Sequence, residues 1–289
     1  MIYEIKNSEV SVKVSSLGAE PVSMVKDGVE YLWQGDKTYW ASHATNLFPI
    51  CGRLTDGKYT YDGKTYEMML HGFAKISEFS LSEKAEDKLV LTLTDNEETY
   101  KMYPFHFVYT VEISLNGSEI SVRYTVNNKS DCDMYFTLGG HPGFNVPLDG
   151  NGDFSDYYLE FSGKEGANYL VMKECYMTDE VAEFPLENGV KKTLSHSIFD
   201  NDAVFLCKSA KKVTLKSDKT DRAVTVKFDD MKYLGLWHKP LTEAPYICLE
   251  PWLGVPAYFG KIDDLKTKRD MITLSPDNSY TAGYSVVLK

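Results

Sequence analysis

In FVYTVEISL, residues 107–115, apolar and polar side chains alternate without a break. Phe107, Tyr109, Val111, Ile113 and Leu115 fall on one face, and Val108, Thr110, Glu112 and Ser114 on the other. Successive side chains of a strand point to opposite sides of a sheet, so this period of two describes a strand with one buried face. NGSE follows, and ISVRYTVNN repeats the alternation through Ile120, Val122, Tyr124 and Val126. Asn116-Gly117 between two such runs is a hairpin signal, and Asp62-Gly63 gives the same signal between KYTY and KTYE.

The pattern recurs along the chain. The N-terminal MIYEIKNSEVSVKV, KLVLTLT (88–94), KVTLKS (212–217) and AVTVKF (223–228) all read as strands, and the tail is expected to pair MITLS with YSVVL across PDNSYTAG. Helical periodicity is nearly missing. Residues 179–184 and DDLKT (263–267) are the places where a single turn or short helix is expected. No fixed-period repeat argues for a propeller, and no low-complexity linker divides the 289 residues. The expected fold is all-β, a large antiparallel β-sandwich, with residues 1–289 as a single domain.

Charge and composition narrow the partners. The formal net charge is -11, and the short basic clusters KSAKK (208–212) and KTKRD (266–270) read as solvated turns. That balance argues against nucleic acid and anionic membrane surfaces. The best remaining partner is a small, mostly neutral molecule, and an aromatic fraction of 13% suits surfaces that stack on sugars as well as it suits strands. Five cysteines without a C-x-x-C argue against a disulfide framework or structural zinc, and fit a reducing cytoplasm. No run of about 18 apolar residues is long enough to span a membrane, and the N-terminus reads as strand rather than signal peptide.

Several short stretches look too constrained for ordinary strand ends. GGHPGFN (139–145) places His141 between glycine and proline after an apolar run. Pro142 pushes the residue before it toward an extended backbone, and glycine permits close approach. MMLHGFA (68–74) sets His71 before Gly-Phe in a similar way. His106 in YPFHFVY reads as strand or strand entry, and His43, His196 and His238 stand in weaker contexts. In ICLEPWLG (247–254), Glu250 ends an apolar run; loss of hydration there raises a carboxyl pKa and makes a competent base. Its alternative is a strand-end Glu paired with an arginine or a backbone amide. Arg53 in FPICGRLTDGKY offers a fork of donors for hydroxyls or for a carboxylate. FDNDAVFL (199–206) offers Asp200 and Asp202, each able to accept from sugar hydroxyls or to close a turn. No H-E-x-x-H, G-x-S-x-G, Walker loop or G-x-G-x-x-G occurs, and the histidines lack close metal-ligand spacing. These candidates suit acid–base work without a cofactor.

Taken in order, NLFPICGRL, LHGFA, TLGGHPGFN, FDNDAVF and ICLEPWLG resemble the aldose 1-epimerase (galactose mutarotase-like) family, in particular its bacterial branch of LacX-type proteins. These elements span residues 46–254, and the flanking strands fit as well. The resemblance implies a supersandwich with a sugar site on a concave face and a mutarotase, an isomerase of carbohydrate metabolism acting on an aldose such as galactose. It implies His141 as general acid and Glu250 as general base. His71 and Arg53 would bind and orient the sugar, and Asp202, with Asp200 as fallback, would contact hydroxyls. Trp252, with Trp237 and Phe144, is a candidate for stacking on the pyranose, core packing being the competing role. The second histidine motif is H-P-G-F-N here rather than the H-x-Y-F-N of typical galactose mutarotases, which leaves the choice of aldose open, a phosphorylated hexose included. A non-catalytic sugar-binding protein is the main alternative. A lyase or glycoside hydrolase is another, although hydrolysis usually needs two carboxylates flanking the bond.

Overall fold

The computed structural model describes residues 1–164 and 166–289. Two large antiparallel sheets carry the architecture. One has nine strands, in the spatial order Lys191–Thr193, Tyr157–Phe161, Lys212–Ser217, Ala223–Lys227, Ser279–Leu288, Glu119–Asn128, Phe107–Asn116, Lys88–Thr94 and Ser80–Lys84. The other has seven, in the order Tyr176–Phe184, Ala167–Lys173, Val204–Lys208, Tyr233–Trp237, Tyr246–Trp252, Gly139–Asn145 and Ala44–Leu47. A smaller four-stranded sheet is built from the first thirty residues.

The alternating runs bury the faces their sequences announce. Phe107, Tyr109, Val111 and Ile113, with Ile120, Val122, Tyr124 and Val126 on the paired strand, lie in the main core between the sheets. There they meet the inner face of the seven-stranded sheet. Phe48 stacks on Tyr109 with ring centroids 4.5 Å apart, and the Tyr124 hydroxyl donates to Asn46 Oδ1 at 2.8 Å. Asn46 in turn donates through Nδ2 to the carbonyls of Gly18 and Ala19, so this buried amide ties the two sheets and the N-terminal segment together.

Both glycine-containing turns form as expected. Tyr61 pairs with Lys64 around Asp62-Gly63, both at positive φ, and Asn116 pairs with Glu119, which makes Gly117-Ser118 the two-residue loop.

Three expectations are corrected. Ile272–Leu274, the centre of MITLS, pairs with Met134–Phe136; YSVVL belongs to Ser279–Leu288, which inserts between Ala223–Lys227 and Glu119–Asn128. A tail hairpin loses because a ten-residue strand gains a nine-pair ladder on one side and a four-pair ladder on the other in the middle of a sheet. Residues 179–184 are strand, not helix, as part of Tyr176–Phe184. KTKRD is not simply a solvated turn: Lys268 is buried, and its ammonium donates to the carbonyls of Val255 and Pro256. DDLKT does form a single turn, closed by Lys268 N–H on the Asp264 carbonyl. The α-helix that sequence periodicity missed is Glu97–Met102, too short for a periodic signal but announced by its cap. Asn96 accepts from the N–H groups of Glu98 and Thr99, and the Thr99 hydroxyl accepts from Asn96 N–H. No helix among the described residues is long and apolar enough to cross a membrane.

Candidate active site

The outer face of the seven-stranded sheet carries the site. Tyr246, Cys248, Glu250 and Trp252 point to that face, while Ile247 and Leu249 point into the main core. Both faces are covered, which is why ICLEPW reads as an unbroken apolar run with one carboxylate in it. Gly139 pairs with Trp252 and Gly143 with Cys248, so the same antiparallel register sets His141 directly across from Glu250. On its other side His141 pairs with Thr45, and Glu250 pairs with Gly235, which pairs with Phe205. One row across the sheet thus reads Thr45, His141, Glu250, Gly235, Phe205.

His141 Nε2 stands 3.3 Å from Glu250 Oε2. His141 is 7% exposed and Glu250 1%. His141 Nδ1 and Glu250 Oε1 are buried with no hydrogen-bond partner among the described residues. Burial raises the Glu250 pKa well above the usual carboxyl value, with the Asp202 charge adding to the effect. Burial also pushes His141 down to about 3, and the Lys75 charge acts in the same direction. A low-dielectric site disfavours the separated charges, so burial favours a protonated carboxyl beside a neutral imidazole.

The glycines around His141 are spaces for neighbours. A Cβ on Gly140 would stand 2.4 Å from the Tyr284 ring of the opposite sheet, and one on Gly139 would stand 2.7 Å from the Trp252 ring. His141 is held sideways by Trp40, stacked at a centroid distance of 4.8 Å, and by the edges of Trp237 and His71 at 5.6 and 5.4 Å.

His71 arrives on a left-handed turn, with φ of 66° followed by 72° at Gly72. A Cβ on Gly72 would lie 2.2 Å from the Phe48 carbonyl oxygen, so LHGFA folds directly onto NLFPICGR. His71 N–H donates to the Gly52 carbonyl at 2.9 Å, and Gly52 N–H donates to His71 Nδ1 at 3.1 Å. With Nδ1 accepting, the neutral ring carries its proton on Nε2. Burial, His141, Lys75 and Arg53 together hold its pKa well below the ordinary value. The same contact places Arg53, one residue after Gly52, on the cavity wall.

A cavity of about 290 Å³ opens over this row, lined among others by Trp40, Arg53, His71, Lys75, His141, Cys175, Asp202, Trp237, Glu250 and Trp252. Asp202 rather than Asp200 faces it. Asp202 Oδ1 accepts from Trp237 Nε1 at 2.7 Å and Oδ2 from Cys175 Sγ at 2.6 Å, whereas Asp200 is exposed and lines only a neighbouring cavity. Trp252 is 2% exposed and braced against Phe205, His71 and the Gly140 carbonyl, which makes it a wall; Phe144 is fully buried in the main core. Trp40 and Trp237 keep partly open faces. Trp40, Lys75 and Cys175 went unnoticed in the sequence because each lies outside the recognisable motifs. The remaining histidines stand apart: His196 and His238 contact each other, His43 lies beside Glu20, and exposed His106 meets Asp95 at the entry to Phe107–Asn116.

His141, Cys248 and Glu250 present donor atoms within 4.8 Å of one another and are, among the described residues, the group able to approach a metal ion together. The Cys248 thiol is held well above its ordinary pKa by burial and by Glu250, which opposes the thiolate a metal would require.

A family model for aldose 1-epimerases matches residues 1–286. The chain belongs to the aldose 1-epimerase family. Among its relatives is the plasmid-encoded protein LacX of Lactococcus lactis subsp. lactis, 33% identical across 100% of this chain and 99% of the relative. Two crystal structures are similar to it with a TM-score of 0.95 and 34% identity: a galactose mutarotase related enzyme from Lactobacillus acidophilus and a galactose mutarotase-like protein from Lactobacillus casei. Each match covers 100% of this chain, with 97% of the first structure and 100% of the second. An aldose 1-epimerase is an isomerase with a sugar as substrate, and the antiparallel sandwich seen here is of the galactose mutarotase-like kind.

Proposed function

We propose that this protein interconverts the α and β anomers of an aldose by opening and reclosing the pyranose ring, with Glu250 as base and His141 as acid. The observation that carries this reading is the cross-strand pair itself: a carboxyl and an imidazole 3.3 Å apart, facing a sugar-sized cavity, with proton affinities displaced in opposite directions.

The steps balance on one shared proton. With the sugar bound, the proton of the pair moves from Glu250 to His141. The Glu250 carboxylate takes the proton of the C1 hydroxyl while the His141 imidazolium protonates ring oxygen O5. The C1–O5 bond breaks and C1 becomes an aldehyde. Glu250 is now protonated and His141 neutral, the charge-free form that burial favours, so the protein is best matched to the ring-opened sugar. Rotation about C1–C2 presents the other carbonyl face. His141 then withdraws the O5 proton, Glu250 returns one to O1, and the opposite anomer closes. His71 Nε2–H, Arg53 and Asp202 orient the hydroxyls, and Trp40 and Trp237 offer faces for the pyranose. Trp252 supports the wall behind them. No step draws on a cofactor.

Polarimetry on freshly dissolved α-D-galactose and α-D-glucose tests this directly, with wild type beside Glu250→Gln. Accelerated mutarotation that disappears in the variant supports the assignment. Acceleration that survives Glu250→Gln removes the base, and sugar binding without acceleration makes the protein a carbohydrate binder.

A further inference from the structure

Among the described residues, three two-residue hairpin loops hold both of their residues at positive φ. Asp27-Gly28 joins Lys26 to Val29, Asp62-Gly63 joins Tyr61 to Lys64, and Glu174-Cys175 joins Lys173 to Tyr176. The first two use the residues such a turn favours, an aspartate and then a glycine. A Cβ on Gly28 or Gly63 would meet nothing within 4 Å, so backbone conformation and not crowding selects glycine there. The third loop takes the same shape with φ of 53° at Glu174 and 65° at Cys175, where an L side chain is disfavoured by its own backbone.

The strained residue faces the site. Cys175 lines the cavity, and its thiol donates to Asp202 Oδ2 while Trp237 Nε1 donates to Oδ1. Asp202 is anchored through its backbone by its N–H on the Phe199 carbonyl, which leaves the carboxylate free to turn. The thiol and the indole, one on each oxygen, fix its plane, and each oxygen keeps a lone pair for a sugar hydroxyl. The Asp202 charge in turn adds to the raised proton affinity of Glu250. The hairpin tip is held as well: Met177 N–H donates to the Ala257 carbonyl, and the Met177 carbonyl accepts from Phe259 N–H. Burial pushes the Cys175 thiol up to about 11, with Asp202 acting in the same direction. The thiol therefore stays protonated, a donor and a poor nucleophile, and sulfur reactivity does not account for its place.

We propose that Cys175 is a positioning residue for ring opening: the strained hairpin is kept because it brings a thiol onto Asp202 and locks that carboxylate in the orientation that receives the sugar hydroxyls. The inference rests on the ring-opening reading of the site, with Asp202 as a hydroxyl contact. Strain that persists at the edge of a site persists because the surrounding structure makes use of it. What the loop favours and what the site needs can be separated by substitution. Glycine suits the turn better than cysteine but donates nothing to Asp202. Serine keeps the strain and the donor, and Sγ stands 2.6 Å from Oδ2, close enough for the shorter hydroxyl to reach.

The test compares wild type with Cys175→Gly, Cys175→Ser, Asp202→Asn and the double variant Cys175→Gly/Asp202→Asn. Each is measured by thermal unfolding and by exchange NMR of anomer interconversion with a panel of aldohexoses and aldopentoses. Cys175→Gly should unfold at the wild-type Tm or up to about 4 °C above it, because glycine takes a positive φ freely, and yet lose about tenfold in kcat/KM. Cys175→Ser should stay within about threefold of wild type in kcat/KM, with no gain in Tm. In the Asp202→Asn background, Cys175→Gly should cost less than about twofold, since the thiol acts through that carboxylate. A fall of Tm and activity together in Cys175→Gly would make the cysteine a packing residue and overturn the inference. So would wild-type kcat/KM in Cys175→Gly, a Cys175→Ser variant as impaired as Cys175→Gly, or a loss that persists undiminished in the Asp202→Asn background; each leaves the ring-opening reading standing. No acceleration of any of the sugars by wild type overturns both.

Discussion

Burial sets the proton affinities of His141 and Glu250 apart, and the displacement has consequences for stability as well as for chemistry. Glu250 has a folded-state pKa well above 4.5, so above that value the folded protein keeps a proton that the unfolded chain has released. Stability from this group is present below 4.5 and is lost as pH rises through the folded value. His141 is displaced from 6.5 to about 3, and between those values the unfolded chain takes a proton that the folded one refuses. Its contribution is present above 6.5 and is lost as pH falls toward 3. Glu250→Gln should therefore gain on wild type in denaturant unfolding as pH rises above 4.5, and His141→Asn should gain as pH falls below 6.5. A gap independent of pH in either variant would mean that the group titrates normally in the folded state. For activity, each substitution should cost about 10²- to 10⁴-fold in kcat, and the double variant little more than either alone, because the pair acts on one shared proton. Since burial holds His141 far below the ordinary histidine pKa of 6.5, kcat/KM should show no fall on crossing that value. A limb at that pH would assign the acid to another group.

At the scale of elements, the site depends on segments brought closer than side chains allow. LHGFA lies on NLFPICGR through Gly72, where a Cβ would meet the Phe48 carbonyl oxygen at 2.2 Å with φ at 72°. Gly72→Ala is expected to destabilise the fold by about 1–3 kcal/mol from backbone conformation alone, with the collision adding to it. Because His71 and Arg53 share this contact, the variant should also raise KM; a thermal unfolding curve like that of wild type would show that the turn relaxes. Gly235, across from Glu250, makes a milder case. A Cβ there would stand 3.1 Å from Glu250 Cβ and 3.3 Å from Oε2, at an ordinary backbone φ. Gly235→Ala should cost little stability but lower kcat/KM about tenfold by turning the carboxyl away from O1. Both glycines serve the catalytic row, yet only Gly72 stood in a recognisable motif. Gly235, in YLGLW, looks like any strand glycine until its cross-strand partner is known. The Val255–Ala257 segment was illegible for a similar reason. The Lys268 ammonium holds its carbonyls, Pro256 lies against Gly52, and Ala257 N–H donates to the Arg53 carbonyl, so a lysine that reads as surface charge supports the wall that carries Arg53.

For the whole molecule, what could be read from sequence was local, and what could not was long-range. Alternation announced the strands, and their buried faces came out as expected in Phe107–Asn116 and Glu119–Asn128, since period and burial are set within a few residues. The partner of a strand is chosen across the chain, which is why MITLS was matched with its sequence neighbour and not with Met134–Phe136. The site divides the same way. His71, His141, Arg53, Asp202, Glu250 and Trp252 all line one cavity, whereas Trp40 reaches it from a segment without a motif and Lys75 from the residue just past LHGFA. The dependence on distant strands is itself testable. Ser279–Leu288 runs through the middle of the nine-stranded sheet and presses Tyr284 against Gly140, where a Cβ would stand 2.4 Å from the ring. Gly140→Ala is expected to destabilise by about 1–3 kcal/mol through overpacking and to lower kcat by shifting His141, the next residue. Tyr284→Ala removes a buried ring and should cost about 3–5 kcal/mol. If the two positions press on each other, Gly140→Ala made in the Tyr284→Ala background should be nearly neutral and should restore part of the activity lost by the single variant. Additive losses in that double-mutant cycle would show that the glycine is required by its own strand, and that the opposite sheet has no part in placing the catalytic histidine.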